Sequence, residues 1–249
     1  MSKVDLHVKV LDERVIHRAQ QRGMSALVFA PHFTRFPDIE AHCQRLQTDE
    51  LKIFPAREIF TGPWWDRRHV LAIGLSEPIP DFLPLETTMA ELRRQDATVL
   101  VPHPLFFSVS LQADDVRTYR DDIHAIERYN PKFLPVHTNR ARRLATEFDI
   151  TAFGSSYAHL RKTVGEVWTE FSTEITTIED LETAIRGGAI ERIGRRHGVG
   201  HLWRRSLEFS HLGWENSWQK FRRVAIRGIE PTHPTHPAYE GRFADDRAY

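Results

Sequence analysis

The chain has 249 residues, enough for one barrel-sized domain or for a domain with an appendage. Lys+Arg and Asp+Glu are equal at 34 each, so the net charge argues neither for nor against a nucleic-acid partner. The single cysteine, Cys43, excludes an intrachain disulfide and a cysteine-rich zinc site, and no apolar run is long enough to cross a membrane. These features predict a cytoplasmic protein with no membrane partner.

Short apolar segments alternate with helical patterns from the first residues onward. The predicted strands are Val4–Leu11, Ala26–Ala30, Lys52–Phe60, His69–Leu75, Thr98–Pro102, Ile123–Tyr129, Ile150–Gly154 and Val167–Phe171. The predicted helices run from a cap at Asp12 to Gly23, then over Pro37–Leu46, Pro84–Gln95, Ala113–Asp121, Asn139–Phe148 and Ile178–Arg186. Strands such as LVFA and TVLV are apolar on both faces, which is typical of parallel strands covered by helices. The pattern predicts a small α/β barrel, closed or nearly closed, with a doubly wound open sheet as the alternative.

The character of the sequence changes after Gly187–Gly188. We therefore predict a barrel over residues 1–188 and a basic helical extension with a Pro/His-rich tail over residues 189–249, packing on the barrel. Residues 186–223 contain nine basic residues and three acidic ones, with Trp203, Trp214 and Trp218 among them. The basic residues are Arg186, Arg192, Arg195, Arg196, Arg204, Arg205, Lys220, Arg222 and Arg223.

Two interpretations of this basic segment stay open. Arginines with aromatic side chains can bind a phosphate backbone and stack on bases. Alternatively, an amphipathic helix pair packs its apolar side chains on the barrel and leaves the arginines in solvent. The apolar side chains concerned are Leu202, Leu207, Phe209, Leu212, Trp214 and Trp218. The last stretch, from residue 230, is rich in Pro, His and charge, and we expect an extended tail with little core of its own.

Polar side chains recur at or just past the ends of the predicted strands. The set is His7, His32, Glu58, His69, His103 and His159, drawn from a chain that contains 14 histidines. The carboxyl ends of barrel strands meet at one face, where active sites are built. His69 is the exception because it begins its strand, so we expect a loop turn to bring it inward. Imidazole nitrogens with a carboxylate suit Zn²⁺, Mn²⁺ or Fe²⁺ in a site with open positions.

Other signatures of catalysis are missing from the sequence. Cys43 lies within a predicted helix, and no G-x-S-x-G is present, so a nucleophilic triad has no support. Neither dinucleotide-binding nor P-loop glycine patterns occur. The candidate metal ligands are therefore the strongest functional signal, although a lone His at a strand end is usually a polar cap or a surface residue.

The motifs DLHVK, APH, AREI, HVLAIGL, PHP and SSYAH followed by VGEVWTEF resemble the polymerase and histidinol phosphatase (PHP) family in order and spacing. The resemblance covers roughly residues 3–171, and the whole chain is similar to archaeal members. It implies a distorted seven-stranded (β/α) barrel with a C-terminal helical extension, up to three metal ions and phosphoesterase chemistry. It also implies that the six polar residues above occupy the family's metal-ligand positions.

The resemblance departs from the family pattern at three places. Lys9 replaces the second His of D-x-H-x-H, Pro31 replaces the Asp of T-D-H, and Tyr157 replaces the Asp of G-S-D-A-H. The ligand set that remains complete is Glu58 with His69 and His103, while His32 and His159 would form a weaker second site. An ammonium opposes a nearby divalent ion, so Lys9 favours one or two ions, and its charge could face Glu58 or a phosphate instead. The alternative is an inactive site on an inherited scaffold.

The function implied is a metal-dependent hydrolase of phosphoester bonds that uses metal-activated water. Lys9, Arg35 in HFTR and Arg161 in AHLR are the candidates to hold the remaining phosphate charge, although an exposed salt-bridging arginine is the plainer interpretation of either arginine. The substrate would be a phosphorylated small molecule or a nucleic acid. The alternative function is a non-catalytic nucleic-acid-binding or scaffold protein on a PHP fold.

Overall fold

A computed structural model describes residues 1–63, 65–105, 109–214 and 231–248. The strands are β1 (Ser2–Val8), β2 (Ala26–Phe29), β3 (Lys52–Thr61), β4 (Arg68–Ile73), β5 (Thr98–Val101), β6 (Ile123–Tyr129), β7 (Thr151–Gly154), β8 (Val167–Phe171) and β9 (Ile190–Arg195). The α-helices are α1 (Glu13–Gln21), α2 (Phe36–Leu46), α3 (Leu85–Arg94), α4 (Ala113–Thr118), α5 (Pro135–Glu147), α6 (Ile178–Arg186) and α7 (Val199–Trp214). All eight predicted strands and all six predicted helices are present.

The strands form one nine-stranded sheet in the order β7-β6-β5-β4-β3-β2-β1-β8-β9. Four neighbouring pairs are parallel (β1–β2, β2–β3, β5–β6 and β6–β7), as the alternation of strands and helices predicts. The other four pairs are antiparallel (β3–β4, β4–β5, β1–β8 and β8–β9). The predicted fold class is confirmed as a mixed α/β, nearly closed barrel, and the described part of the chain contains nine strands instead of seven.

The antiparallel step at β4 follows from a short connection. Only residues 62–67 join β3 to β4, too few for the crossover that a parallel neighbour requires. Gly62 enters this turn at φ +76°, and a Cβ there would lie 2.5 Å from the Asp66 carbonyl oxygen, so a side chain does not fit. The consequence for His69, which stands at the beginning of β4, is described with the site.

The two ends of the sheet approach each other at Gly154. The Gly154 amide donates to Thr169 Oγ1 at 3.0 Å, and the Thr169 hydroxyl donates to the Gly154 carbonyl oxygen at 2.8 Å. A Cβ on Gly154 would lie 2.3 Å from a side-chain carbon of Ile193, so this close approach of β7 to β9 requires glycine. Hydrogen bonds of the Thr169 side chain thus link β7 to β8, where, within the described chain, no backbone pairing joins the two strands.

The ninth strand lies beyond residue 188, where we predicted the barrel to end. Gly187–Gly188 forms the turn from α6 into β9, with Gly188 at φ +68°. Ile190 and Ile193 are partly buried, whereas Glu191 and Arg192 are exposed, as expected for a strand at the edge of a sheet. Glu191, Arg192 and Arg195 therefore lie on an edge strand, where we predicted the start of a helical extension.

Three apolar clusters hold the layers together. The interior cluster takes alternate residues from the strands, among them Val28, Phe54 and Leu71, and includes Leu181 and Ile185 of α6. A second cluster packs α1 and α2 on one side of the sheet, and a third packs α3, α4 and α5 on the other. None of the helices in the described ranges combines the length and the apolar composition of a membrane-spanning segment.

The C-terminal tail belongs to the third of these clusters. Tyr239 and Phe243 are buried there, which differs from the expected extended tail even though the segment has no core of its own. The Asp81 amide donates to the Thr232 carbonyl oxygen at 2.7 Å, and the Ala248 amide donates to the Phe82 carbonyl oxygen at 2.9 Å. The tail is therefore fastened to the barrel at both of its described ends.

Candidate metal centre

The candidate ligands continue the inward-facing alternation of the strands. Phe54 and Ala56 of β3 belong to the interior cluster, and Glu58 is the next residue on that face. Leu71 and Ile73 do the same on β4, which places His69 inward. A polar layer therefore lies on top of an apolar barrel interior.

His69 does not need a loop turn to reach this layer, so that expectation was wrong. Because β4 is antiparallel to β3, its first residues lie beside the last residues of β3, and His69 pairs with Phe60. The rings of His69 and Phe60 stack with centroids 4.0 Å apart and an interplanar angle of 14°. The beginning of β4 and the end of β3 thus lie at the same edge of the barrel.

Glu58, His69 and His103 form a compact, buried group whose ligand atoms all lie within 4.8 Å of one another. Glu58 Oε1 is 3.4 Å from His69 Nδ1 and 3.0 Å from His103 Nε2. Both ring nitrogens of His69 are buried without a hydrogen-bond partner among the described residues. Buried polar atoms are normally satisfied, so this arrangement fits a bound cation.

His103 is held by its surroundings in an uncommon backbone conformation, with φ +32°. Its amide donates to Glu127 Oε2 at 2.7 Å, and its Nδ1 lies 3.0 Å from Ser110 Oγ. Glu127 is itself fixed by Asn130, whose side-chain amide donates to it at 2.8 Å, and by the Ser155 hydroxyl at 2.5 Å. These contacts aim His103 Nε2 at Glu58.

Lys9 lies against the other oxygen of Glu58. Its Nζ donates to Glu58 Oε2 at 2.5 Å and also to the Ala30 carbonyl oxygen, and its side chain is 3% exposed. The contact with Glu58 is one of the two arrangements that the sequence suggested for this ammonium. Glu58 is therefore bound on one side by a fixed cation and faces histidines on the other.

His7 and Tyr157 complete the floor of the site. His7 Nε2 is 3.8 Å from Glu58 Oε1, and neither ring nitrogen of His7 has a hydrogen-bond partner among the described residues. The Tyr157 ring, which stands where the family pattern has aspartate, lies 4.7 Å from the His7 ring and 5.1 Å from the His103 ring. Its backbone is left-handed, at φ +45°. Tyr157 thus fills space among the histidines with an aromatic ring.

His32 and His159 meet each other beside this group. His32 Nδ1 is 3.3 Å from Glu58 Oε2, and the Nε2 atoms of His32 and His159 are 3.4 Å apart. The buried Lys132 Nζ lies 2.6 Å from His159 Nδ1, and Glu208 of α7 accepts from the His159 amide at 2.9 Å. The structure therefore brings all six candidate ligands and Lys9 together.

Sequence reasoning missed Lys132, Glu208, Glu127 and Ser110. Lys132 follows the end of β6, so its position after a strand was a usable signal. Glu208 had no such signal, because it reaches the barrel from a helix 49 residues beyond His159.

Burial is the main cause of the pKa shifts of four histidines at the site. It lowers the pKa of His69 to about 4 and the pKa of His7, His32 and His159 well below the ordinary value, with Lys9 or Lys132 adding to the effect at the last three. Burial alone would raise the pKa of Glu58, but Lys9 and the histidines hold it well below its ordinary value. Neutral imidazoles beside an ionised carboxylate are the protonation states that a metal requires.

Arg35 and Arg161 form pairs outside this group. Arg35 Nε is 3.0 Å from Asp38 Oδ2 on the first turn of α2, and the Arg161 side chain, which is 54% exposed, pairs with Asp12. Their suggested contact with a phosphate stays a prediction.

The basic segment is partly engaged in ion pairs within the chain. Arg204 Nε lies 2.7 Å from Glu166 Oε1, and His201 Nδ1 lies 2.7 Å from Glu166 Oε2, which ties α7 to the barrel. Arg186 pairs with Asp96 and Arg192 pairs with Glu170, at 2.8 and 2.6 Å. Trp218, Lys220, Arg222 and Arg223 lie outside the described residues, as do the side chains of Arg205, Phe209, Leu212 and Trp214.

Comparison with known proteins agrees with the PHP resemblance. Residues 135–190 match the family model described as PHP-associated. The fold is similar to that of PsfC from Pseudomonas syringae PB-5123, with a TM-score of 0.61 and 18% identity over 86% of this chain and 98% of that one. It is also similar to a two-domain protein from Bacteroides vulgatus ATCC 8482 that contains a predicted PHP-like metal-dependent phosphoesterase. That match has a TM-score of 0.57 and 16% identity, over 83% of this chain and 69% of the other.

A third similar structure is endonuclease Q bound to a 27-mer duplex with an abasic lesion at the active site. The TM-score is 0.52 with 14% identity, and the match covers 75% of this chain but only 56% of the endonuclease. No curated protein sequence matches the chain significantly. At these identities the similarity establishes a PHP-like fold.

Proposed function

We propose that this protein is a metal-dependent hydrolase of phosphoester bonds that uses one divalent ion held by Glu58, His69 and His103. The observation that supports it is this buried group, in which three ligand atoms converge and the nitrogens of His69 make no hydrogen bond within the described chain. His7 lies next to the group and is the nearest further candidate. Two imidazoles with one carboxylate fit Zn²⁺, Mn²⁺ or Fe²⁺.

A second ion would depend on His32 and His159. Among the described residues, no third His, Cys, Asp or Glu atom lies close enough to both to complete a group. Lys9 also places a positive charge 2.5 Å from the Glu58 oxygen that His32 approaches. We therefore favour one ion over two.

The charges of the site suit a phosphate ester. When bound, a divalent ion supplies Lewis-acid activation of water and of a phosphoryl oxygen. Lys9 neutralises Glu58, so the ion's charge would remain available to an anionic substrate. Glu127 and Ser110 hold His103 in place, and the stacked Phe60 fixes the plane of His69. The chain thus positions its ligands rigidly before substrate arrives.

The test combines metal analysis with a substrate screen. Protein purified without chelator and without metal-affinity resin should contain about one ion per chain and hydrolyse some phosphomonoester, phosphodiester or short nucleic acid in a metal-dependent way. His69→Gln should lose the ion and the activity, while His17→Gln, at an exposed position on α1, should keep both. Protein that takes up no Mn²⁺ or Zn²⁺ would contradict the proposal and favour an inactive scaffold.

Nucleic-acid binding by the basic segment is the second candidate. Its support is the similarity of fold to endonuclease Q, whose structure contains duplex DNA. Against it, Arg186, Arg192 and Arg204 are engaged in ion pairs with acids of this chain. We therefore place it behind the hydrolase.

A further inference from the structure

Lys132 is a buried cation that no motif assigned to the site. It follows β6, and its side chain is 1% exposed. Nζ donates to the Tyr157 carbonyl oxygen at 2.8 Å and lies 2.6 Å from His159 Nδ1 and 3.4 Å from Glu208 Oε2. Its charge also lies over the Tyr157 ring, 3.8 Å from the centroid. Among the described residues, the ammonium donates to the Tyr157 carbonyl oxygen and lies against His159 Nδ1, while Glu208 Oε2 forms an ion pair with it.

The contact with Lys132 decides which nitrogen of His159 carries the proton. An ammonium can only donate, so His159 Nδ1 must accept, and the proton of the neutral imidazole is then on Nε2. The Tyr157 carbonyl oxygen, 3.1 Å from Nδ1, would favour the opposite tautomer. The ammonium is closer to Nδ1, at 2.6 Å, and its own N–H points at that nitrogen, so Nδ1 carries no proton.

The distance between His159 and His32 alone does not distinguish a metal site from a hydrogen bond. Two nitrogens that each lie about 2.1 Å from a tetrahedral ion are separated by about 3.4 Å. The observed Nε2–Nε2 distance is also 3.4 Å. A nitrogen that carries a proton cannot bind a metal. Because the contact with Lys132 places the proton on Nε2, His159 donates a hydrogen bond through this nitrogen and does not bind a metal.

Glu208 pairs with Lys132 and holds the backbone of His159 in place. Glu208 Oε1 accepts from the amides of His159 and Leu160, each at 2.9 Å, and from the Thr163 hydroxyl. Its other oxygen faces Lys132. Because Glu208 is on α7, the C-terminal extension contributes to the site itself and does not merely cover the barrel.

We infer that Lys132 and Glu208 convert His159 from a metal ligand into a fixed hydrogen-bond donor with its proton on Nε2. Lys132 and Glu208 are positioning residues in this arrangement. Among the described residues, the acceptor opposite the His159 Nε2 proton is His32 Nε2, 3.4 Å away, so His159 orients His32 beside Glu58. His159 is then absent from the expected ligand set and acts as a positioning residue for His32.

Nitrogen-15 NMR of the histidine rings tests the tautomer without any assay of activity. The His159 signals are assigned in the full-length protein, treated with chelator, from those that His159→Gln removes. We expect a protonated Nε2 and an unprotonated Nδ1. Lys132→Met should abolish this fixed pattern, while Lys162→Met, at an exposed position, should leave it unchanged. A proton on Nδ1 in the native chain would overturn the inference.

Titration with Zn²⁺ decides the case even if Lys132→Met does not fold. The first equivalent should shift the rings of His69 and His103 and leave the His159 Nε2 proton in place. Loss of that proton on zinc addition would show that His159 is a ligand and would overturn the inference. A chain with the expected tautomer but no phosphoesterase activity would contradict only the proposed function, so the two failures are distinguishable.

Discussion

Replacing Lys9 by Met in metal-free protein should destabilise the fold strongly. Lys9 Nζ lies 2.5 Å from Glu58 Oε2, and the exposed fractions of the two side chains are 3% and 0%. Met is close in length to Lys but leaves Glu58 as a buried anion without its counter-charge. Removing one partner of a buried ion pair costs about 3–5 kcal/mol, a large fraction of the ~5–15 kcal/mol by which domains are stable.

Urea denaturation in chelator measures this loss directly. The double variant Lys9→Met/Glu58→Gln is the control, because it removes the uncompensated charge and should recover most of the lost stability. Excess Mn²⁺ should stabilise Lys9→Met more than the native chain, because no ammonium then opposes the ion. At a free concentration a hundredfold above Kd, binding contributes about 2.7 kcal/mol. A single variant within about 1 kcal/mol of the native chain in chelator would refute the assignment of Lys9 as the charge partner of Glu58.

Four further outcomes are expected. Lys9→His should raise metal stoichiometry or change metal preference relative to Lys9→Ala, and identical metal content in the two variants would exclude Lys9 from the site. Burial lowers the pKa of four histidines in the folded chain, namely His7, His32, His69 and His159, so below pH 6.5 the unfolded chain binds more protons at these positions. The free energy of unfolding of the metal-free protein should therefore decrease as the pH is lowered from 6.5 to 4, and His69 alone should account for about 3 kcal/mol of this decrease. His69→Gln should make the dependence of stability on pH weaker. Phe243→Ala should lower the free energy of unfolding by about 3–5 kcal/mol, whereas Leu134→Ala, at a half-exposed position, should change it by no more than about 0.5 kcal/mol. Labelled RNA and DNA, titrated at low and physiological salt, should show no salt-sensitive binding that Arg204→Ala removes.

Much of the barrel could be predicted from sequence because its signals are local. Apolar strands and capped helices depend on neighbouring residues, and every predicted strand up to Phe171 is present. The residues of β4 do not determine its direction, because a buried apolar strand can pair in a parallel or an antiparallel way. The direction depends on the connection after Gly62, which is too short to return the chain for a parallel strand. The length of this connection could be read from the sequence, but we did not use it in the prediction.

The candidate site divides in the same way. Its ligands stand at strand ends and follow a recognisable order, so Glu58, His69 and His103 could be proposed as a group before any geometry was known. Glu208 depends on how α7 packs, and no periodicity in the sequence relates a helix residue to a loop 49 positions earlier. The buried tail residues Tyr239 and Phe243 escaped prediction for the same reason, since isolated aromatics in a Pro-rich stretch resemble a disordered segment.

Two lysines and two carboxylates explain why this site should need fewer ions than the family pattern implies. Lys9 is paired with Glu58 and Lys132 with Glu208, so each of these two buried acids already has a covalently attached counter-charge. A lysine cannot dissociate, and its single charge does not repel a neighbouring divalent ion as strongly as a second divalent ion would. Glu58, His69 and His103 then converge on one position, and neither ring nitrogen of His69 has a hydrogen-bond partner among the described residues. We therefore propose one exchangeable ion in a site that already contains two fixed cations.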